Sequence, residues 1–349
     1  MHTNPCEWSE ERSAGQRLMA GFHGTRFSAE LEHLVSGLRV GGLILFKRNV
    51  ESPAQLAELC RAVQDCARGC GQPPLIVSID QEGGPVARLG PPFTQFPGNP
   101  SITNARQAAE FAHVCARELC GVGINMNLAP VVDVAPEGFA SIMGGRMFGP
   151  DPEHTGRMGA AVIEGLQSRG VMAVAKHFPG IGRTTLDSHL DLPVFDADPA
   201  SLEAFDLIPF RRAIASRVAA IMLSHILYPA LDPDWPASLS RPIVSGWLRH
   251  RMGYDGVVVT DDLEMGAVAR HFGFGESVRQ VLRAEVDLAL ICHTTALVEE
   301  ARDRMARRIS ASEKIRRRHA RSLERILRLK SRYLAADWPE MDVSGGSDP

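Results

Sequence analysis

The chain has 349 residues, 44% hydrophobic and 23% charged, with a formal net charge of −3. That length permits one large core or two ordinary ones, and the near-neutral balance gives nucleic acid or an anionic membrane little electrostatic hold. Seven cysteines, an odd number, do not make a disulfide framework, and Cys66 and Cys70 lack a second ligand pair that would complete a zinc site.

The first residues, MHTNPCEWSEERSAGQ, carry neither the basic start nor the apolar centre of a secretory signal, so a cytoplasmic location is expected. No later apolar run approaches the roughly 20 residues needed to span a bilayer. Short apolar runs then recur along the chain: RLMAGF (17–22), GGLILF (41–46), LIVSID (75–80), INMNLAP (124–130), VMAVAK (171–176), AAIMLSH (219–225), GVVVTD (256–261) and VDLALIC (286–292). Near-continuous apolarity suits parallel strands covered on both faces. Between them, segments 52–68, 104–121 and 151–170 repeat apolar residues at helical spacing, with Gly121 and Gly170 placed as C-caps. Eight strands alternating with helices predict a single-domain (β/α)8 barrel. An open doubly wound sheet would want a glycine-rich phosphate turn after the first strand, which GFHGTRF matches poorly.

From about Leu297 the chain turns basic and helical. Acidic residues are interspersed, and Ile309, Ile315, Leu323, Ile326 and Leu327 form an apolar stripe. This predicts extra C-terminal helices on the outside of the barrel rather than a nucleic-acid arm. The barrel domain is expected over residues 1–336, with 337–349 a flexible tail.

A barrel of this kind places its chemistry at the C-terminal strand ends. Polar residues gather there: Lys47, Arg48 and Asn49; Asp80 to Gly84 and Arg88; Asp133 and Arg146; Lys176 and His177; Ser224 and His225; and Thr260, Asp261 and Asp262. One such strand end could be a helix cap, but six of them are hard to explain that way. Two carboxylates, Asp80 and Asp261, together with histidines, a lysine and arginines suit a neutral, polyhydroxylated substrate. GxSxG, P-loop and HExxH patterns are all missing.

Taken together, GGLILFKRN (41–49), IDQEGGPVARL (79–89), NMNLAPVVDV (125–134), GGRMFGPDP (144–152), AKHFPGIGRTTLDSHLDLP (175–193), MLSHILYPALDP (222–233) and YDGVVVTDDLEMGA (254–267) resemble the glycoside hydrolase family 3 β-N-acetylglucosaminidases, in their single-domain form associated with peptidoglycan recycling. The resemblance implies a retaining exo-acting enzyme with Asp261 as nucleophile, His189 as acid/base and Asp187 as the partner of His189. It also implies that Asp80, Arg88, Arg146, Lys176 and His177 hold the N-acetylglucosamine ring. Histidine suits the second role because its ordinary pKa of about 6.5 lies near working pH. No metal or organic cofactor is implied. The expected partner is an N-acetylglucosamine-containing glycan or muropeptide, with no nucleic acid or membrane, and the chain is expected to be a monomer. Glu82 and His225 read as structural or cavity-lining, and Asp262 as a support for its neighbour or a helix cap. Ile181, Arg183 and Pro85 depart from the family's usual residues. The alternatives are a β-glucosidase-like or phosphorolytic relative, and a catalytically silent sugar-binding barrel.

Overall fold

A computed structural model describes residues 8–188 and 190–334. All eight apolar runs are strands of one closed parallel barrel: β1 (Leu18–Ala20), β2 (Gly42–Leu45), β3 (Ile76–Ile79), β4 (Met126–Asn127), β5 (Met172–Phe178), β6 (Ala220–Leu223), β7 (Val257–Asp262) and β8 (Leu288–Ile291). Each strand pairs with its sequence neighbours, and β1 pairs with β8 to close the ring. Helical segments follow the strands in turn, as the alternation predicts. The strands read as unbroken apolar runs because both faces are buried. Inward residues such as Met19, Ile76, Met172, Val257 and Leu288 form one apolar cluster. Outward residues such as Leu18, Val77, Ala173, Val258 and Ala289 form a second one beneath the helices.

The three helices read from periodicity are Pro53–Gly69, Ala105–Gly121 and Pro152–Gln167. Ser52, Asn104 and Asp151 cap them, accepting from Gln55 N, Gln107 N and Glu153 N. Gly170 takes the left-handed backbone expected of it, at φ 82°. Gly121 does not; it is the last helical residue, and Gly123 at φ 82° reverses the chain instead.

The C-terminal helices correct one expectation. Thr295–Ala311 packs on the barrel wall, but Glu313–Leu334 lies across one end of the barrel. Its Ile326, Leu329 and Leu334 join the inward-facing cluster. Four of its arginines are held in ion pairs: Arg325 and Arg328 meet Asp255, and Arg318 and Arg321 meet Glu285. Asp255 and Glu285 immediately precede β7 and β8, so this helix closes the N-terminal end, opposite the polar mouth. Among the described residues no helix is long and apolar enough to cross a membrane. The proposed tail, 337–349, lies outside the described residues.

Lys330 of this helix is fully buried and donates to Gln16 Oε1 at 2.9 Å. Burial lowers its pKa from 10.5 to about 7. A base depressed in the fold imposes its full penalty below about pH 7, and the penalty fades as pH rises towards 10.5. Unfolding free energy is therefore expected to gain about 2 kcal/mol from this group between pH 7 and pH 9. Denaturant titrations should show that Lys330→Met flattens the rise.

Candidate active site

The C-terminal strand ends open into a cavity of about 380 Å³. Six of the eight residues implied by the resemblance line it: Asp80, Arg88, Arg146, Lys176, His177 and Asp261. They come from β5, β7 and the loops after β3 and β4, all on the C-terminal side of the barrel.

An ion network forms the floor. Lys176 Nζ lies 2.6 Å from Asp80 Oδ1 and 2.7 Å from Glu82 Oε1. Arg88 reaches the other Asp80 oxygen at 3.1 Å. Arg146 grips Glu82 with a two-pronged fork, Nε to Oε2 at 2.9 Å and Nη2 to Oε1 at 2.7 Å. Burial would raise the pKa of Asp80, but Lys176 and Arg88 outweigh it and hold it at about 2. Glu82 is lowered in the same way against its own burial by Lys176 and Arg146. Lys176, which burial would discharge, is raised by the two carboxylates. All three therefore stay charged at neutral pH. A carboxylate depressed from 3.8 to about 2 contributes stability above about pH 4, which is lost as pH falls through 2. Asp80 is expected to account for about 2 kcal/mol of that acid loss, and Asp80→Asn should shallow the acid limb of a urea-midpoint titration.

Glu82, read from the sequence as structural or lining, belongs to this network, buried and in contact with two of the cavity's cations. A signal for it was present. Asp80 and Glu82 are two residues apart in extended chain, a spacing that turns both side chains the same way. Asp133 is a second organising residue. Fully buried, it accepts from His177 Nδ1 at 2.8 Å and from Ile181 N at 2.8 Å. A carboxylate only accepts, so His177 carries its proton on Nδ1, leaving Nε2 as the ring's other polar atom. The Lys176–His177 peptide is cis, and both side chains line the cavity.

Asp261 stands on the opposite wall, at the end of β7. Asp262 N donates to its Oδ1 at 2.9 Å. Burial pushes its pKa up, but His225, His177 and that backbone N–H pull it below the ordinary value. His225 Nε2 lies 2.8 Å from the Asp262 carbonyl, which can only accept, so this nitrogen bears the proton; Nδ1 meets Ser238 Oγ at 2.6 Å. The Asp262 carboxyl is raised by burial to about 7. Its Oδ1 accepts from Glu264 N and Cys292 N, tying the turn after β7 to the end of β8, and its Oδ2 lies 3.4 Å from His293 Nε2. Asp262 is therefore a support for its neighbour and not a helix cap; Met265 occupies the N-cap of the next helix, Gly266–Ala269. Phe46, Glu264 and His293 complete the rim. His293 directly follows the last apolar run, as His177 follows its own, but none of the motifs that carry the resemblance extends to it.

Asp187 is placed in the neighbouring loop and not among the lining residues; its carbonyl accepts from Leu190 N at 3.0 Å. The next carbonyl, Ser188 O, accepts from Ala267 N at 3.1 Å, beside Gly266 on the rim. His189 lies outside the described residues. Gly180 has φ 125°, and Gly182 presses against the Val134 carbonyl, which a Cβ would meet at 2.1 Å. Gly182 thus serves close packing at the loop's root. Of the three departures, Ile181 is buried and bonded to Asp133, Pro85 is exposed, and Arg183, partly buried, forms an ion pair with the buried Asp206.

Residues 11–329 match the family described as glycosyl hydrolase family 3 N terminal domain. The β-hexosaminidase of Alkalilimnicola ehrlichii is 38% identical over 286 residues, 79% of this chain and 80% of its own length, and that of Pseudomonas aeruginosa is 37% identical over 291 residues, 81% and 84% of the two chains. Among solved structures, the family 3 β-N-acetylglucosaminidase of Paenibacillus sp. str. FPU-7 superposes with a TM-score of 0.91 at 39% identity, covering 97% of this chain, which spans 65% of that enzyme. NagZ from Neisseria gonorrhoeae, solved with N-trifluoroacetyl-D-glucosamine, superposes at 0.74 with 28% identity over 89% of this chain and 98% of its own. On the family match and these relatives, the chain belongs to glycosyl hydrolase family 3 and is a glycoside hydrolase similar to that family's β-hexosaminidases.

Proposed function

We propose that the chain is a retaining exo-β-N-acetylglucosaminidase acting on terminal N-acetylglucosamine of muropeptide-derived glycans. The observation that carries this reading is Asp261, an ionised carboxylate across one cavity from a charged, hydrogen-bonding floor of Asp80, Lys176, Arg88 and Arg146. The floor's donors and acceptors suit sugar hydroxyls. Asp261 attacks the anomeric carbon, and the bond to the departing oxygen breaks as that oxygen takes a proton from His189. Water then loses a proton to His189 and attacks the same carbon, releasing Asp261 and the sugar with net retention. Asp187 holds the imidazole and favours its protonated form.

Asp262 has the raised pKa of a general acid, but its oxygens are engaged by two backbone N–H groups and His293. That supports assigning the proton to the His189–Asp187 pair. The test is nitrophenol release from an aryl β-N-acetylglucosaminide, with the aryl β-glucoside as control. Preferential cleavage of the N-acetyl substrate supports the reading, and equal or absent cleavage sinks it. His189→Ala is expected to lose about 10²- to 10⁴-fold on a muropeptide-derived disaccharide, whose leaving group needs a proton, and far less on a dinitrophenyl glycoside, whose leaving group does not.

A further inference from the structure

Arg183 is one of the residues that departs from the family's pattern, and the cavity does not use it. Its side chain is mostly buried and forks onto Asp206, Nε to Oδ1 at 3.2 Å with Nη2 on Oδ2. The same Nη2 donates to Ser201 Oγ at 3.1 Å. The guanidinium lies over two rings, 4.8 Å from the Phe195 centroid and 5.4 Å from that of Phe205.

Phe195 lies on the opposite stem of the loop that Arg183 enters, and Ser201, Phe205 and Asp206 lie in the helical segments just beyond it. Arg183 ends the incoming stem, where Gly180 packs on the Asp206 Cβ and its carbonyl accepts from Tyr228 OH at 2.8 Å. Phe195 begins the outgoing stem; its N–H donates to Leu227 O at 2.9 Å and its ring meets Tyr228 edge-on. Between the stems lie Asp187 and the exposed Leu186, Leu190 and Val194. Outside the stems, the described residues of this span are tied down where Ser188 O meets Ala267 N and where Asp191 Oδ1 lies 2.5 Å from His271 Nε2; the stems set the rest of its position.

We infer that Arg183 is a positioning residue for the reaction: ion-paired to Asp206 and stacked on Phe195, it clamps the two stems of the loop that carries Asp187 and His189, and so fixes where the proton donor stands. This rests on the proposed acid/base role of that loop. A guanidinium suits the task because its planar fork binds a carboxylate with two bonds while its face stacks on a ring. Asp206 is fully buried, and burial lifts its carboxyl to about 6 even against Arg183. Removing Arg183 alone would strand a buried acid, whereas replacing both partners leaves no unpaired charge.

The experiment therefore compares wild type, His189→Ala, Arg183→Met and the double variant Arg183→Met/Asp206→Asn on two N-acetylglucosaminides, one dinitrophenyl and one methoxyphenyl. A misplaced proton donor is expected to lower kcat/KM about 10- to 100-fold on the methoxyphenyl substrate, whose leaving group needs the proton, and less than about threefold on the dinitrophenyl one. Simple loss of folded enzyme would lower both equally. If Arg183→Met does not fold, the double variant carries the test. A split in His189→Ala with none in the Arg183 variants would overturn the clamp and leave the acid/base reading standing. No split in His189→Ala would remove the acid/base reading, and the clamp with it.

Discussion

Asp261→Asn is expected to lower kcat/KM for an aryl β-N-acetylglucosaminide by about 10⁴-fold or more, a loss of about 5.5 kcal/mol of transition-state stabilisation. The substitution nearly preserves shape. Asn keeps an oxygen to accept from Asp262 N, as the wild-type carboxylate does. It removes the negative charge that would form the bond to the anomeric carbon and oppose the positive charge developing there. Because the wild-type carboxyl is held below its ordinary pKa, the loss should be present across the whole working pH range. Thermal midpoints close to wild type would assign it to chemistry. Asp261→Ala with added azide should then form a glycosyl azide of the opposite anomeric configuration, visible by NMR. Wild-type rates in Asp261→Asn would end the assignment.

Lys176→Met should damage both stability and activity, by about 3–5 kcal/mol and about 10²-fold or more in kcat/KM. Its ammonium is buried between Asp80 and Glu82, within 2.7 Å of each. Without it, two buried carboxylates face each other across an apolar stem, and only Arg88 and Arg146 at their outer edges compensate. One carboxyl must then take up a proton. The variant's stability deficit should accordingly be largest near pH 7 and shrink on acidification, opposite to the wild-type acid limb. Urea unfolding at pH 7 and pH 4.5 checks this. A deficit independent of pH would show that Lys176 acts through packing alone. Arg88→Met, at the more exposed end, should cost much less stability.

The barrel was legible because its cause is local. Strands covered on both faces must be apolar along their length, and helices between them must carry one apolar stripe, so each element displays its environment in its own residues. The same locality brought Asp80, Lys176, His177 and Asp261 into view, since each ends or directly follows an apolar run and chemistry in this architecture sits at strand ends. Glu82 was within reach by the two-residue repeat from Asp80 but carried no mark separating a buried network member from an ordinary acidic loop residue. The C-terminal helix misled for a related reason. Its apolar stripe shows that one face is buried, but nothing in the stripe says whether it meets the barrel wall or its open end.

What the sequence determined by itself, then, was the (β/α)8 architecture, the mouth at which the polar residues gather, and the family those motifs belong to. What only the tertiary structure decided was the pairing of charges. Lys176 meets a carboxylate 96 positions away and Arg146 one 64 away; Asp133 orients His177, and Asp206 receives Arg183. Apolar burial is non-directional and depends on composition and period, which a sequence displays. A buried ion pair depends on two atoms within about 3 Å of each other in a dry interior, and that distance exists only once the chain has closed on itself.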